Sequence, residues 1–348
     1  MAGLPLGRSA QLDRTAGHAA ATATFAERSR AAGARLSGIR EIGILSALIL
    51  IGVCLSFATP HFLTGTNLLN ISRQMATIAI IAVGMTYLII SREFDLSVGS
   101  TYGLSGIVAG LLVLRTGVDV WLALPVVLVL GLLVGLVNGL MVTAVGIPSF
   151  IITLGTLSVL RGAALVLSNG WPVSDLPPSS FFDVFAGRAF GVVPAQTIWM
   201  VVVLLIGDFV LRRTKFGYHV YATGGNPRAA RLTGINTARV KVINFMLSGF
   251  LAAFGGVITI AFLNTAPPTA GTGLELDIIS AVVIGGTALA GGAGSILGTF
   301  LGAAIMATVR NGLVLLGVSA YWQQATIGMV IVIAVTVDVL STRRPRND

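Results

Sequence analysis

From Glu41 to Leu340 the chain alternates between strongly apolar runs and short polar breaks. A bilayer's hydrocarbon core takes about 20 helical residues to cross, somewhat fewer where protein shields the helix. About ten runs approach that length, at residues 42–59, 72–91, 97–114, 120–144, 148–168, 197–213, 242–263, 277–293, 295–318 and 321–341. Backbone amides inside hydrocarbon must be bonded within the chain, so such runs are read as helices. The expected fold is an all-α polytopic membrane protein of about ten transmembrane helices.

Composition agrees. Hydrophobic residues make up 55% of the chain and charged residues only 10%, far from the balance of soluble domains. Aromatics are 7% against 43 glycines, which suits helices packed through small residues. Gly131/Gly135 and Gly298/Gly302 have the small-xxx-small spacing of such contacts. The single cysteine, Cys54, allows no intrachain disulfide and is read as a small core residue.

The net charge of +9 is concentrated rather than spread. Sixteen of the 22 cations lie in the N-terminal tail, between Arg212 and Lys241, and after Ser341. Cations beside apolar runs mark the cytoplasmic side. An even number of spans puts both basic termini together, and the 212–241 cluster falls on that side too. The longest opposite loop, Asn169 to Gln196, carries Asp175, Asp183 and only Arg188. The expectation is therefore a cytoplasmic N-terminal tail over 1–40, mobile and without a signal peptide. A transmembrane domain over 41–341 follows, with a cytoplasmic segment at 212–241, then a basic cytoplasmic tail over 342–348. No nucleic-acid partner is expected.

Two stretches interrupt the spans. "SREFDLSVGS" (Ser91 to Ser100) and "TAPPTAGTGLELD" (Thr265 to Asp277) predict broken or re-entrant elements. Asn138-Gly139-Leu140 precedes Thr153-Leu154-Gly155, and Asn311-Gly312-Leu313 precedes Thr326-Ile327-Gly328 at the same spacing. An inverted 5+5 repeat is the candidate explanation.

Apparent span centres contain no aspartate or glutamate; Asp95, Glu275 and Asp277 are placed at boundaries. That weakens a proton-coupled carrier, which wants a carboxylate near the midplane. Arg161 is read as snorkelling or as paired with backbone carbonyls rather than facing a polar cavity, while Arg310 is left between such a structural role and a cavity role. Candidate pathway residues are Phe94, Asp95, Asn138, Thr153, Arg310, Asn311 and Gln323. The histidines, His18, His61 and His219, show no metal-ligand spacing, and no phosphate-binding G-x-x-x-x-G-K-[ST] occurs. The chain is not expected to be an enzyme or to hold a cofactor; any ATP-driven work falls to a partner.

The segment Tyr221 to Lys241, "YATGGNPRAARLTGINTARVK", places four cations and no acid between apolar runs. Gly224-Gly225-Asn226-Pro227 predicts a turn, Arg228 to Leu232 a short helix, and Gly234 its end. Tight turns at both ends fit a rigid docking element better than a solvated loop.

The run "FGYHVYATGGNPRAARLTGI" resembles the cytoplasmic coupling segment of ribose/xylose-type ABC sugar permeases. So do "FDLSVGS", "NGLMVTAVGIPSFIITLGTLSVLRG" (Asn138 to Gly162) and "LELDIISAVVIGGTALAGGAGSILGTFLGA" (Leu274 to Ala303), in the family's order across residues 40–340. The resemblance implies a bacterial inner-membrane permease working as a homodimer. It also implies a cytoplasmic ATPase docked through Gly224, Gly225, Asn226, Arg228, Arg231 and Gly234, and an extracytoplasmic sugar-binding protein that delivers substrate. A stand-alone sugar carrier or facilitator is the alternative reading.

Overall fold

The computed structural model describes residues 41–319 and isolated positions between Trp322 and Thr336. The two expected tails, most of the last apolar run and Gln323 lie outside the described residues. The chain divides at Gly43, and the fold below belongs to the unit Ile44–Asp348.

Among the described residues, eight helices are long and apolar enough to cross a membrane. They are α1 (Glu41–Ala58), α2 (Gly65–Ile90), α3 (Val98–Thr116), α4 (Val120–Leu140, continued by the π-turn Met141–Val145), α5 (Ser149–Leu167), α7 (Ala195–Arg213), α10 (Thr237–Leu263) and α12 (Ile296–Leu315). Shorter helices join them: α6 (Ser180–Ala186), α8 (Lys215–Gly225), α9 (Pro227–Leu232) and α11 (Leu274–Ile284). The run expected to span at 277–293 is thus an 11-residue helix. At 1.5 Å per residue it covers about 16 Å, half a bilayer core. Two-residue strands β1 (Val173–Ser174) and β4 (Thr265–Ala266) pair antiparallel, as do β2 (Arg188–Ala189) and β3 (Val193–Pro194).

The core is built around α2, buried almost continuously from Met75 to Ile90, with α7, α10, α11 and α12 against it. Backbone proximity, rather than large side chains, sets the spacing. A Cβ at Gly131 or Gly135 of α4 would overlap the carbonyls of Gly249 or Phe245 on α10. One at Gly298 or Gly302 of α12 would overlap Gly285 or Ala281. These glycines act as the small-residue contacts that the spacing predicts. By contrast α1 and α5 keep most of their surface outward. Cys54, on α1, is exposed, which corrects its reading as a core residue; the outer face of a membrane helix is apolar without being buried in protein.

One end of the bundle collects the C-termini of α2, α4 and α7 and the N-termini of α3, α5, α10 and α12. Helices α8 and α9 lie at this end, which we call the basic end. Both predicted breaks enter the bundle. Ser248, whose backbone lies against Gly84 of α2, donates its hydroxyl to Asp95 at 3.0 Å. Gly84 is six residues, about 9 Å, inside the end of α2, so the 91–97 link folds back into the bundle. From the other end, residues 264–273 run down one face of α3, where Gly106, Gly103 and Gly99 make room for Ala266, Ala270 and Gly271. Backbone oxygens that this non-helical stretch leaves free need partners. Arg161 of α5 supplies two, donating to Pro268 O at 2.8 Å and Ala270 O at 2.7 Å, the second of the two structural roles read for it.

Candidate functional site

At the basic end, Asn226 caps α9. Its side-chain oxygen accepts from the N–H groups of Arg228 and Ala229, both at 3.1 Å, and Pro227 occupies the first helical position. Asn and Pro are the residue types that start a helix this way. After Thr233 the chain turns through Gly234, whose φ of 87° is the left-handed conformation glycine tolerates. The predicted helix is therefore present. The predicted Gly224-Gly225 turn is corrected: both glycines complete the last turn of α8, because Thr214 caps that helix and nothing interrupts it before Asn226. Arg228 and Arg231 project from α9, which buries only Ala230.

Helix α8 is fixed to the bundle by backbone contacts. A Cβ at Gly224 would overlap the carbonyl oxygen of Ile90, the last residue of α2. The same oxygen accepts from Gly292 N–H at 2.8 Å. Arg92 donates to Gly225 O at 3.0 Å, and the Tyr221 hydroxyl donates to Gly294 O at 2.7 Å. Burial pushes the Tyr221 hydroxyl up to about 12, with Asp208 adding to the rise and Arg212 opposing it, so it remains a donor. Asp208 and Arg212 form the i,i+4 pair expected on α7, at 2.8 Å. Lys241 of α10 is ion-paired with the mostly buried Glu93. Together these bonds tie α8, the α2–α3 link, α10 and the 285–295 loop into one joint.

The candidate pathway residues fall in separate places. Phe94, Asp95, Asn138 and Thr153 come together beside the 91–97 link. Ser97 donates its N–H to Asp95 at 3.0 Å, Asn138 donates to Ser97 Oγ at 3.0 Å, and Thr156 donates to Asn138 at 2.7 Å. Phe94 N–H and the Thr153 hydroxyl both reach Ser149, at its Oγ and its carbonyl oxygen. This network holds α3, α4, α5 and α10 together, with Asp95 and Asn138 buried. Asn311 is elsewhere, exchanging amide hydrogen bonds with Asn67 of α2 at 3.0 and 2.8 Å.

Arg310 lines a cavity of about 350 Å³ formed by α2, α3, α7, α10, α11 and α12, toward the end opposite the basic one. Its guanidinium bonds Asp277 at 2.6 Å, the aspartate nearly buried and the arginine about a third exposed. The expectation that Asp277 sits at a span boundary is corrected: α11 starts inside the bundle, so its first turn is interior. Sequence reasoning misplaced Asp277 and assigned no role to Arg92, Tyr221 or Gln196. Asp277 alone carried a signal there, as the acid that closes the predicted break from Thr265 to Asp277.

Residues 67–335 match the family model described as "Branched-chain amino acid transport system / permease component". The chain belongs to this permease family. It is 44% identical over 303 residues to the ribose import permease protein RbsC of Escherichia coli K12, covering 86% of this chain and 94% of that protein. Against RbsC of Bacillus subtilis 168 the identity is 42% over 301 residues, covering 86% and 93%. Against the xylose transport system permease protein XylH of E. coli K12 it is 35% over 379 residues, covering 88% and 95%. No solved structure matches. As a permease of the ribose/xylose type, the chain has a joint at its basic end whose place in the sequence coincides with the motif that carries the resemblance.

Proposed function

We propose that this chain is the membrane subunit of an ATP-driven importer for a monosaccharide of the ribose or xylose kind, in a bacterial inner membrane. The observation that carries this reading is near-full-length similarity to ribose and xylose import permeases. The basic end is cytoplasmic in this proposal, as are both termini, because the seven cations between Arg212 and Lys241 flank the spans there, whereas the opposite loop from Asn169 to Gln196 carries only Arg188. A separate ATPase docks on α9, an extracytoplasmic binding protein delivers sugar to the other end, and two copies form the working unit. The expected ten spans and inverted repeat belong to the same reading: Asn138 and Asn311, equivalent in the repeat, are both buried and sit toward opposite ends of the bundle.

In the mechanism, closure of the ATPase displaces α9, and α8 moves with it. Gly224 presses on the Ile90 carbonyl while Tyr221 pulls on Gly294. The 285–295 loop passes the displacement to α11, which carries Asp277 in the cavity. The chain itself performs no chemistry.

A stand-alone carrier is the second reading, and one observation favours it: the buried carboxylate of Asp277 in a cavity. Reconstitution decides between the two. Proteoliposomes holding the chain, its ATPase and its binding protein should import D-ribose or D-xylose only with ATP. Sugar flux through the chain alone would reject the ATP-driven reading.

A further inference from the structure

Where α4 ends, the chain widens into the π-turn Met141–Val145, passes Gly146 at φ 85° and restarts as α5. A π-turn displaces backbone from the line of a helix, a distortion that recurs at functional sites. Here it borders a cavity of about 290 Å³ between the start of α5, α9 and the start of α10. Four kinds of donor line that cavity. Arg231 comes from α9, and its guanidinium has no ion-pair partner among the described residues. Lys241 comes from α10 and gives one of its three N–H groups to the mostly buried Glu93. Thr237 is 6% exposed, yet its hydroxyl is not sealed from solvent and bonds nothing among the described residues. Helix α5 begins at Pro148 and Ser149, in the cavity wall, with no side-chain cap over its first N–H groups.

We propose that this cavity is an anion site, and that its occupant is a carboxylate side chain of the ATPase docked on α9. The proposal rests on the importer reading and names the group that the permease takes from its partner. Charge selects the class. Two cations and a helix N-terminus, itself partly positive, face a single carboxylate that Lys241 already engages. A cation would meet Arg231 and Lys241, and a neutral group would leave the Arg231 guanidinium unpaired. Position selects the source: Pro227 and Arg231 of α9 form part of the wall, so a protein seated on α9 covers the cavity. Size agrees, since about 290 Å³ admits a side chain but not a turn of helix, which is about 10 Å across. Helix α9 is then only one part of the docking surface. The carboxylate also ties the ATPase to the starts of α5 and α10, so that closure of the ATPase pulls on both.

The test titrates the full chain, held in phosphatidylcholine nanodiscs, with its ATPase. Thr237→Val removes one donor from the cavity and should weaken ATPase binding roughly fivefold. Glu93→Gln frees Lys241 and should tighten binding severalfold, most of all at low salt. Ala238 is exposed and lines the cavity, so the fold tolerates change there. Ala238→Glu gives the cavity a carboxylate of its own and should bind the ATPase roughly tenfold more weakly than Ala238→Gln, which has the same size without the charge. Wild-type affinity for Thr237→Val overturns the proposal, as does weaker binding by a Glu93→Gln chain with a wild-type thermal midpoint. Equal affinities within the Ala238 pair overturn it too, and that pair decides alone where the other variants do not fold. Nanodiscs containing phosphatidylglycerol separate the sources of the anion. A difference within the Ala238 pair that arises only with this lipid assigns the cavity to a lipid phosphate and overturns the proposal. A wild-type chain that binds no ATPase in either lipid rejects the importer reading instead.

Discussion

Gly224 of α8 lies against the carbonyl of Ile90 so closely that no side chain fits between them, and the same carbonyl accepts the N–H of Gly292. Three segments far apart in sequence thus meet at one oxygen atom. Gly225, the next residue, has open space where a Cβ would stand. Gly224→Val should therefore abolish ATP-dependent uptake, while Gly225→Ala should transport at near the wild-type rate. Uptake in vesicles normalised to membrane protein level distinguishes them, and equal activity of the two variants would remove the joint from the mechanism.

Tyr221→Phe deletes only the hydroxyl that holds Gly294. The isolated chain should lose about 1 kcal/mol of stability, the typical worth of one hydrogen bond, while sugar moved per ATP falls further than that loss predicts. Thermal unfolding in detergent, set beside coupled uptake and hydrolysis, reads the two effects separately.

The Arg310–Asp277 pair predicts an asymmetry. Arg310→Met leaves a nearly buried carboxylate without its partner and should destabilise the chain by about 3 kcal/mol, the lower part of the range for broken buried pairs because Arg310 is partly exposed. Asp277→Asn combined with Arg310→Met should recover most of that loss. Unfolding midpoints of the wild type, single and double variants test it; a double variant as unstable as the single one would contradict the pairing.

Helix spacing gives a further expectation. Gly135→Ala forces a methyl into the Phe245 carbonyl and should cost about 1–3 kcal/mol, as overpacked cores do. Gly155→Ala, on the outward face of α5 with nothing within 4 Å, should be neutral or stabilise by up to about 1 kcal/mol through helix propensity. Midpoints of the isolated chain in one detergent compare the two.

Much of this was legible in the sequence, for particular reasons. Span lengths, the capped helix beginning at Pro227 and the glycine contacts of α4 and α12 are local signals, so spacing alone placed them. Arg161 was readable in part: a lone cation in an apolar run must snorkel or find acceptors inside the protein, and only the fold shows that it bonds the carbonyls of Pro268 and Ala270. The shortness of α11 was hidden because its apolar residues continue past Ile284 into a glycine-rich loop of similar hydropathy. Asp277 was misplaced for the same reason, since its depth depends on how far the 264–273 stretch descends along α3. Gln196 and Tyr221 carry no local mark at all; what distinguishes each is a neighbour, or the lack of one, contributed by a distant helix.

Arg161 joins two parts of the protein that would otherwise be strangers: an outer helix facing the surroundings, and an interior length of chain with no helix to satisfy its carbonyls. Sliding α5 must carry Pro268 and Ala270 along or strand two oxygens at once, each about 1–3 kcal/mol to leave bare. Whatever presses on the rim of this permease is thereby felt at its centre.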